Sequence, residues 1–248
     1  MLIDRQNQTF RLGGVPVDNV SMQDAVTWVC EASPLRGRVG VFVNAESYNQ
    51  LRKNPALTTA ISTADRVFAD GIGVRLAAAR LGIHLRDNVN GTDMLPILAA
   101  KAAKQGKSIY LLGGRPGVAA QARLKLMTRF PHLKIVGAEH GYFSADQTQE
   151  VINRVNAQKP DILLVGFGTP LQETWLKEHR DQLDIGVGLA VGGLLDFASG
   201  RIPRAPLWLR RINSEWIYRL IQEPKRMWRR YLLGNFTFSY FHILRRSY

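Results

Sequence analysis

Polar or glycine-rich junctions follow five short apolar segments of this chain, and they hold its best candidates for chemistry. The first is Asn44-Ala45-Glu46 and the second is Asp70-Gly71-Ile72-Gly73. A carboxylate at a strand exit, such as that of Asp70, could act as a general base toward a sugar hydroxyl group. An aspartate in this position could instead cap a helix or stabilise a turn, so both roles stay open at this point.

The third junction, Gly113-Gly114-Arg115-Pro116-Gly117, lies between a predicted strand and a predicted helix. Glycine lets a backbone approach a diphosphate closely, and a helix N-terminus offers it free N–H donors. The spacing matches neither the dinucleotide-binding fingerprint nor the P-loop. This junction predicts a phosphate or nucleotide contact, although paired glycines can also simply turn a chain.

The fourth junction, Gly166-Phe167-Gly168-Thr169-Pro170, runs into Leu171-Gln172-Glu173, and Gly192-Gly193 is the fifth. Pro170 suits the first turn of a helix, which places Gln172 and Glu173 at the helix N-terminus. These two side chains either belong to a capping arrangement or contact a nucleotide or sugar.

The elements that must position these junctions alternate between strands and helices. Strands are predicted at 38–44, 67–69, 108–112, 133–137, 161–167 and 185–191, and helices at 47–64, 73–81, 93–105, 118–130, 145–158 and 171–179. This rhythm predicts an α/β fold, a Rossmann-like, doubly wound and mostly parallel sheet with helices on both faces. Because ligands bind where such strands end, the five junctions should converge on one site.

Composition bounds the class of protein. The chain has 248 residues, 46% of them hydrophobic, which is enough for one α/β domain. No apolar run reaches the roughly 20 residues that a membrane-spanning helix needs, and the first twelve residues lack the apolar stretch of a signal peptide, so we predict a cytoplasmic protein. The single cysteine, Cys30, excludes an internal disulfide, and its helical context predicts a buried thiol.

Metal-ligand patterns are missing from the sequence. The five histidines form no i, i+4 pair, and there is no Asp-x-Asp of the kind that holds a divalent ion in many nucleotide-sugar enzymes. The sequence therefore predicts neither a metal nor another cofactor.

The positive charge is concentrated near the end of the chain. The net charge is +13, and residues 201–248 hold eleven basic and only two acidic residues. Such a segment needs a polyanion, which could be nucleic acid, an anionic membrane surface or a substrate diphosphate. We predict a catalytic domain at residues 1–200 and a C-terminal appendage at residues 201–248.

The appendage combines this charge with aromatic residues. Residues 206–233 have the pattern of two amphipathic helices separated at Pro224, and they contain Trp208, Trp216 and Trp228. Tryptophan beside arginine is typical of a helix anchored at a membrane interface. A nucleic-acid-binding surface uses the same residue types, but the converging glycine junctions favour a small-molecule site.

Taken together, these features resemble the WecG/TagA/CpsF family, which is glycosyltransferase family 26. Eight matching elements occur in order and cover nearly the whole chain. They are Val43-Asn44-Ala45-Glu46, Ala69 to Val74, Asn90-Gly91-Thr92-Asp93, Leu112 to Gly117, Gly166 to Glu173, Val191-Gly192-Gly193 with Asp196-Phe197, Arg204-Ala205-Pro206, and Glu215 to Arg226.

The resemblance implies an inverting hexosyltransferase that takes glucose, N-acetylmannosamine or its uronic acid from a UDP-sugar. The acceptor would be a saccharide linked to a polyprenyl diphosphate such as undecaprenyl diphosphate, in the synthesis of a bacterial surface polysaccharide. The enzyme would need no metal, bind no nucleic acid and attach peripherally to the inner face of the plasma membrane. A homo-oligomer is compatible with the family.

The resemblance also assigns roles to residues, with Asp70 as the general base that deprotonates the acceptor hydroxyl. The substrate and UDP would be held by Asn44, Gly71, Asn90, Asp93, Gly113, Gly114, Gly117, Gly166, Gly168, Pro170, Gln172, Glu173, Gly192, Gly193 and Asp196. On the appendage, Arg219, Arg226, Arg229 and Arg230 would meet the lipid diphosphate, with Trp216 and Trp228 at the membrane. Guanidinium groups can stabilise a departing UDP without a metal.

One motif departs from the family pattern. Family members often have Arg-Val-x-Gly where this chain has Asn88-Val89-Asn90-Gly91, with Arg86 two residues earlier. Either Arg86 reaches the same place or the donor or acceptor is handled differently, so Asn88 bears on specificity.

Two alternatives stay open: a nucleotide-binding α/β enzyme of another chemistry, and a basic nucleic-acid-binding protein.

Overall fold

The structure is a computed structural model that describes residues 9–31, 36–206, 209, 215–228 and 232–244, with the backbone alone at 219, 226 and 227. Its centre is an eight-stranded sheet in the order β1-β2-β4-β3-β8-β7-β5-β6. The strands are β1 Thr9–Leu12, β2 Val15–Asp18, β3 Arg38–Val43, β4 Arg66–Ala69, β5 Ser108–Gly113, β6 Lys134–Glu139, β7 Ile162–Gly166 and β8 Val187–Ala190. Neighbouring strands run parallel except β1 and β2, which confirms the predicted α/β fold.

Twelve α-helices occur in the described part of the chain. They are α1 Met22–Cys30, α2 Ala45–Leu51, α3 Pro55–Ser62, α4 Ile72–Arg80, α5 Gly91–Gln105, α6 Val118–Arg129, α7 Thr148–Gln158, α8 Leu171–Glu178, α9 Leu194–Ala198, α10 Glu215–Gln222, α11 Pro224–Trp228 and α12 Gly234–Ser239. A π-helical turn, Tyr240–Leu244, continues α12. None of the helices in the described ranges combines the length and the apolar character that crossing a bilayer requires.

Each face of the sheet has its own hydrophobic core. On one face, α2, α3, α4, α7 and α8 pack over side chains such as Val41 and Val165. On the other face, α1, α5, α6 and α9 pack over Phe68 and Leu164. The central strands are apolar on both sides because helices cover both faces of the sheet.

The structure corrects one predicted helix and adds two elements that the sequence did not predict. The single helix predicted at 47–64 is wrong, because α2 ends at Leu51. A second helix, α3, begins at Pro55 with Asn54 as its N-cap. The β1–β2 hairpin and the short helix α9 were not predicted. Cys30 is 2% exposed at the end of α1, which confirms the predicted buried thiol.

The last described segment of the chain folds back onto two helices that follow the inner strands β3 and β4. Phe238 of α12 is 1% exposed, and its ring lies 5.6 Å from that of Tyr48 on α2. A methyl group added at Gly73, in the first turn of α4, would lie 3.3 Å from the Phe238 ring. Residues 234–244 therefore rest on α2 and α4, the helices that begin at the first two junctions. The boundary placed at residue 200 stays a prediction.

Candidate active site

The carboxyl ends of the parallel strands bring the five junctions to one edge of the sheet. Val43 of β3 pairs with Ala69 of β4, and Gly113 of β5 pairs with Gly166 of β7. Strand β8 lies between β3 and β7 and ends at Ala190, just before the fifth junction. The polar and glycine residues that follow these strands therefore lie along one edge of the sheet, where a ligand-binding crevice is expected for this sheet class.

Asp70 directly follows β4 and is partly exposed. Asn44, which directly follows β3, donates from Nδ2 to Oδ2 of Asp70 at 3.5 Å. The Oδ1 atom of Asn44 accepts the N–H groups of Glu46 and Ser47 at 3.1 and 3.2 Å and so caps α2. Because the amide oxygen of Asn44 is used by the helix, its NH₂ group is the part that faces the Asp70 carboxylate.

The turn after Asp70 is held by Asn88. Gly71 is the N-cap residue of α4, so the alternative in which Asp70 caps this helix is wrong. The Gly71 N–H donates to Oδ1 of Asn88 at 2.6 Å. Arg86 forms an ion pair with Asp24 of α1 at 2.8 Å. Where the family pattern has an arginine, this chain places a neutral amide on the turn behind Asp70.

The third junction passes very close to β7. A methyl group added at Gly113 would lie 2.5 Å from the carbonyl oxygen of Gly166, and Gly114 donates its N–H to that carbonyl at 3.1 Å. Gly117 is the N-cap residue of α6 and has open space where a side chain would be. A tight backbone turn that leads into an uncapped helix N-terminus is an arrangement suited to a phosphate group.

A cavity of about 210 Å³ adjoins this junction. Its wall includes Gly117, Phe143 and the ion pair between Glu139 and Arg154, whose closest N···O distance is 2.9 Å. The hydroxyl of Tyr110 donates to Glu139, and burial together with this bond raises the pKa of Tyr110. The Glu139 carboxylate is therefore already partnered within the cavity wall.

Gln172 joins the turns that follow β7 and β8. It is 3% exposed, and its Oε1 accepts the N–H of Gly168 at 3.2 Å and that of Gly192 at 2.8 Å. Its Nε2 donates to Oε1 of Glu173 at 2.9 Å. Pro170 lies at the N-cap position of α8, one residue before the first turn where it was predicted, and follows a cis peptide bond.

Glu173 lies beneath this turn. It is 1% exposed, and Oε1 accepts a second hydrogen bond, from Oγ1 of Thr169 at 2.9 Å. The Oε2 atom is buried without a hydrogen-bond partner. Burial raises the pKa of Glu173, although the hydrogen bonds from Gln172 and Thr169 oppose the rise. The environment therefore favours the neutral acid.

Asn90 and Asp93 hold the start of α5. Oδ1 of Asn90 accepts the N–H of Asp93 at 2.8 Å, and Nδ2 of Asn90 donates to the Asp93 carboxylate at 2.7 Å. Asp93 also pairs with Arg204 at 2.9 Å, and Arg204 contacts Glu215 of α10 at 3.5 Å. The sequence identifies Arg204 only as part of the Arg204-Ala205-Pro206 motif, because no local pattern reveals its link between α5 and α10.

Asp196 lies in α9, which begins after Gly193 beyond the end of β8. Its Oδ1 accepts from Nε of Arg201 at 2.6 Å, and this bond raises the pKa of Arg201. The pair places a guanidinium group near the fifth junction. The sequence identifies Arg201 only as one of the basic residues of the appendage and not as a site residue.

The predicted membrane and diphosphate contacts are described only in part. Trp216 is partly buried in α10, and Trp228 is 41% exposed at the end of α11. Arg229 and Arg230 lie outside the described residues, as do the side chains of Arg219 and Arg226. Within the part of the chain that the structure describes, no three His, Cys, Asp or Glu side chains are grouped to hold a metal ion.

Comparison with known families gives a match over nearly the whole chain. Residues 10–247 match the sequence model of the family described as "Glycosyl transferase WecG/TagA/CpsF family". The match covers both the sheet with its five junctions and the basic appendage. It confirms the resemblance that the eight ordered motifs indicated.

Proposed function

This chain belongs to the WecG/TagA/CpsF family of glycosyltransferases, which act in cell-surface polysaccharide synthesis, and on that premise we propose its donor, acceptor and mechanism. The donor is a UDP-linked hexose-type sugar, namely glucose, N-acetylmannosamine or its uronic acid. The acceptor is a saccharide carried on a polyprenyl diphosphate. The transfer inverts the anomeric centre and needs no metal.

The placement of Asp70 supports this proposal most directly. It is a partly exposed carboxylate at the carboxyl edge of a doubly wound sheet, and the Asn44 amide contacts it. In the proposed reaction, Asp70 takes the proton of the acceptor hydroxyl while that oxygen bonds to the anomeric carbon. The bond from this carbon to the UDP oxygen breaks, and UDP leaves from the opposite face of the sugar.

The departing UDP carries negative charge that must be stabilised. We assign this role to the backbone N–H groups at the start of α6, together with arginines of the appendage, because the N–H groups of Gly114 and Gly192 already donate within the chain. Gly117 leaves the first turn of α6 open to a ligand. Arg204 ties the appendage to α5 at Asp93, which supports a location of the appendage beside the crevice.

The first experiment is a transfer assay with the full chain. The protein is incubated with a panel of UDP-sugars and a polyprenyl-diphosphate-linked monosaccharide in the presence of EDTA, and products are identified by mass spectrometry. We expect one added hexose-type mass with equimolar release of UDP. Transfer that requires added Mg²⁺ or Mn²⁺ would overturn the metal-independent mechanism, and transfer from a nucleotide sugar other than a UDP-sugar would overturn the donor assignment.

We also propose that the appendage binds the anionic surface of the membrane that carries the acceptor. Large apolar side chains are exposed along it among basic residues; they include Ile217, Ile221, Trp228, Leu232, Leu233, Phe236, Tyr240 and Leu244. Exposed apolar and basic residues on one segment are typical of peripheral membrane binding. Peripheral attachment brings the site to a substrate that cannot leave the bilayer.

Two matched substitutions test the membrane contact. Phe236 is 71% exposed on α12, and Leu124 is 62% exposed on α6, which packs on the other face of the sheet. Phe236→Asp should weaken co-sedimentation with phosphatidylglycerol vesicles about tenfold or more, since an inserted Phe contributes roughly 1.5–3 kcal/mol. Leu124→Asp should leave vesicle binding unchanged. Equal weakening by both variants would indicate general electrostatic adsorption and contradict the assignment.

A further inference from the structure

Two backbone N–H groups show which end of the Gln172 side-chain amide carries the oxygen. The donors of Gly168 and Gly192 come from the turns after β7 and β8, and both point at the same end of the amide. That end must be the oxygen, because the opposite orientation would set an NH₂ group against two N–H donors. The NH₂ end of Gln172 then faces Oε1 of Glu173.

Glu173 has no opening to the crevice. Its side chain is 1% exposed, and Oε1 is shared by Gln172 and by the hydroxyl of Thr169. A group in this position reaches a substrate only through its neighbours. The acceptor that it offers is what keeps the Gln172 NH₂ group turned away from the two glycine N–H donors.

We infer that Glu173 is a positioning residue, which orients the Gln172 amide from beneath the site and through it holds the turns after β7 and β8 together. The two turns belong to the fourth and fifth junctions, which are central to the predicted UDP site, so the inference rests on the proposed function for its catalytic consequence. The positioning role itself depends only on hydrogen bonds within the chain. One amide braces two junctions, so a disturbance at either turn is transmitted to the other.

Two substitutions distinguish the hydrogen-bond acceptor of Glu173 from its ionisable carboxyl group. In Glu173→Gln, the new amide oxygen still accepts from Thr169 and Gln172, so the brace is kept. In Glu173→Ala the acceptor is lost, and the Gln172 amide is free to rotate away from the glycine donors. The neutral form favoured by burial makes glutamine the closer mimic of the native side chain.

The test measures backbone amide hydrogen exchange at Gly168 and Gly192 in the full chain, a readout that needs no substrate. Glu173→Ala should remove the protection of both glycine amides while the amides of β7 and β8 stay protected, and Glu173→Gln should retain it. Leu176→Ala is the matched control, because Leu176 is fully buried on the same helix but makes no hydrogen bond to Gln172. That variant should lower stability without selectively exposing the two glycine amides.

The functional readout uses UDP binding and sugar transfer. Glu173→Ala should lower transfer about 10- to 100-fold through misplacement of the two turns, with Glu173→Gln restoring most of it. Native-like protection of Gly168 and Gly192 in Glu173→Ala would overturn the inference, and so would a loss in Glu173→Gln equal to that in Glu173→Ala. If the exchange result holds and no UDP-sugar reacts with wild-type protein, the proposed function fails while the positioning role stands.

Discussion

Asp70 and Glu173 are carboxyl groups at the same edge of one sheet, in opposite surroundings. Asp70 is partly exposed and contacts an amide NH₂ group, whereas Glu173 is 1% exposed and one of its oxygens has no partner. A general base must hold a negative charge and exchange its proton with a hydroxyl group, which suits the first environment. The second favours a neutral acid, which can hold geometry without reacting. Burial, rather than residue type, therefore gives these two carboxyl groups different roles.

The largest expected effect comes from replacing the carboxyl group at each position with the isosteric amide. Asp70→Asn should lower the rate of sugar transfer about 10²- to 10⁴-fold, the usual contribution of a general base, with little change in melting temperature. Glu173→Gln should keep the rate within a few-fold of wild type. Initial rates with the active UDP-sugar measure both. Comparable losses in the two variants would erase the distinction between them.

An intermediate effect is expected in the pH dependence of stability. Burial raises the pKa of Glu173 above its usual value of 4.5. Between pH 4.5 and this raised pKa, the folded protein therefore retains a proton on Glu173 that the unfolded chain has released. Stability therefore falls as pH rises above 4.5, by up to about 1.4 kcal/mol per pH unit until the raised pKa is reached.

Urea unfolding from pH 5 to pH 8 measures this slope. Glu173→Gln cannot ionise at this position, so its stability relative to wild type should increase with pH. Leu176→Ala removes no ionisable group, so it should keep the wild-type slope and serves as the control. A constant difference between Glu173→Gln and wild type across this range would show that Glu173 is ionised in the folded protein.

The smallest effect distinguishes two asparagines that both cap helices. Asn44 caps α2 and contacts Asp70, whereas Asn54 caps α3 and has no part in the proposed site. Replacing either by alanine should cost about 1 kcal/mol of unfolding free energy. Only Asn44→Ala should also slow transfer, by roughly 3- to 10-fold for the loss of one hydrogen bond. Equal activity of the two variants would remove Asn44 from the environment of the base.

Much of the fold could be predicted from the sequence because its signals are local. Buried strands such as β7 are short apolar runs that end in glycine, and the order of strands and helices alone predicts that their ends converge. Pro55 carried a clear signal that a new helix begins, but the regular spacing of apolar residues around it obscured the break. The β1–β2 hairpin had a signal too, since Gly13-Gly14 separates two short alternating segments.

The site was less predictable because its decisive contacts join distant parts of the chain. Gln172 was selected as a site residue, but nothing near it in sequence shows that its oxygen accepts from Gly192, twenty residues later. The link from Arg204 to Asp93 spans 111 residues, and the residues around Asp70 alone left open whether it acts as a base or stabilises a cap or turn. Such contacts arise from tertiary packing, which local patterns do not encode.

The contact between Gly73 and Phe238 also constrains how the sequence can change over evolutionary time. A methyl group at position 73 would lie 3.3 Å from both the Phe238 ring and the Ala45 side chain, so a larger residue there should be tolerated better together with a smaller residue at position 238. The two positions are 165 residues apart in the chain, yet they should vary as a pair among descendants of this protein. A lineage that lost the aromatic ring would then be less constrained at the glycine that follows the Asp70 turn, where the Ala45 side chain would still limit the size of a replacement.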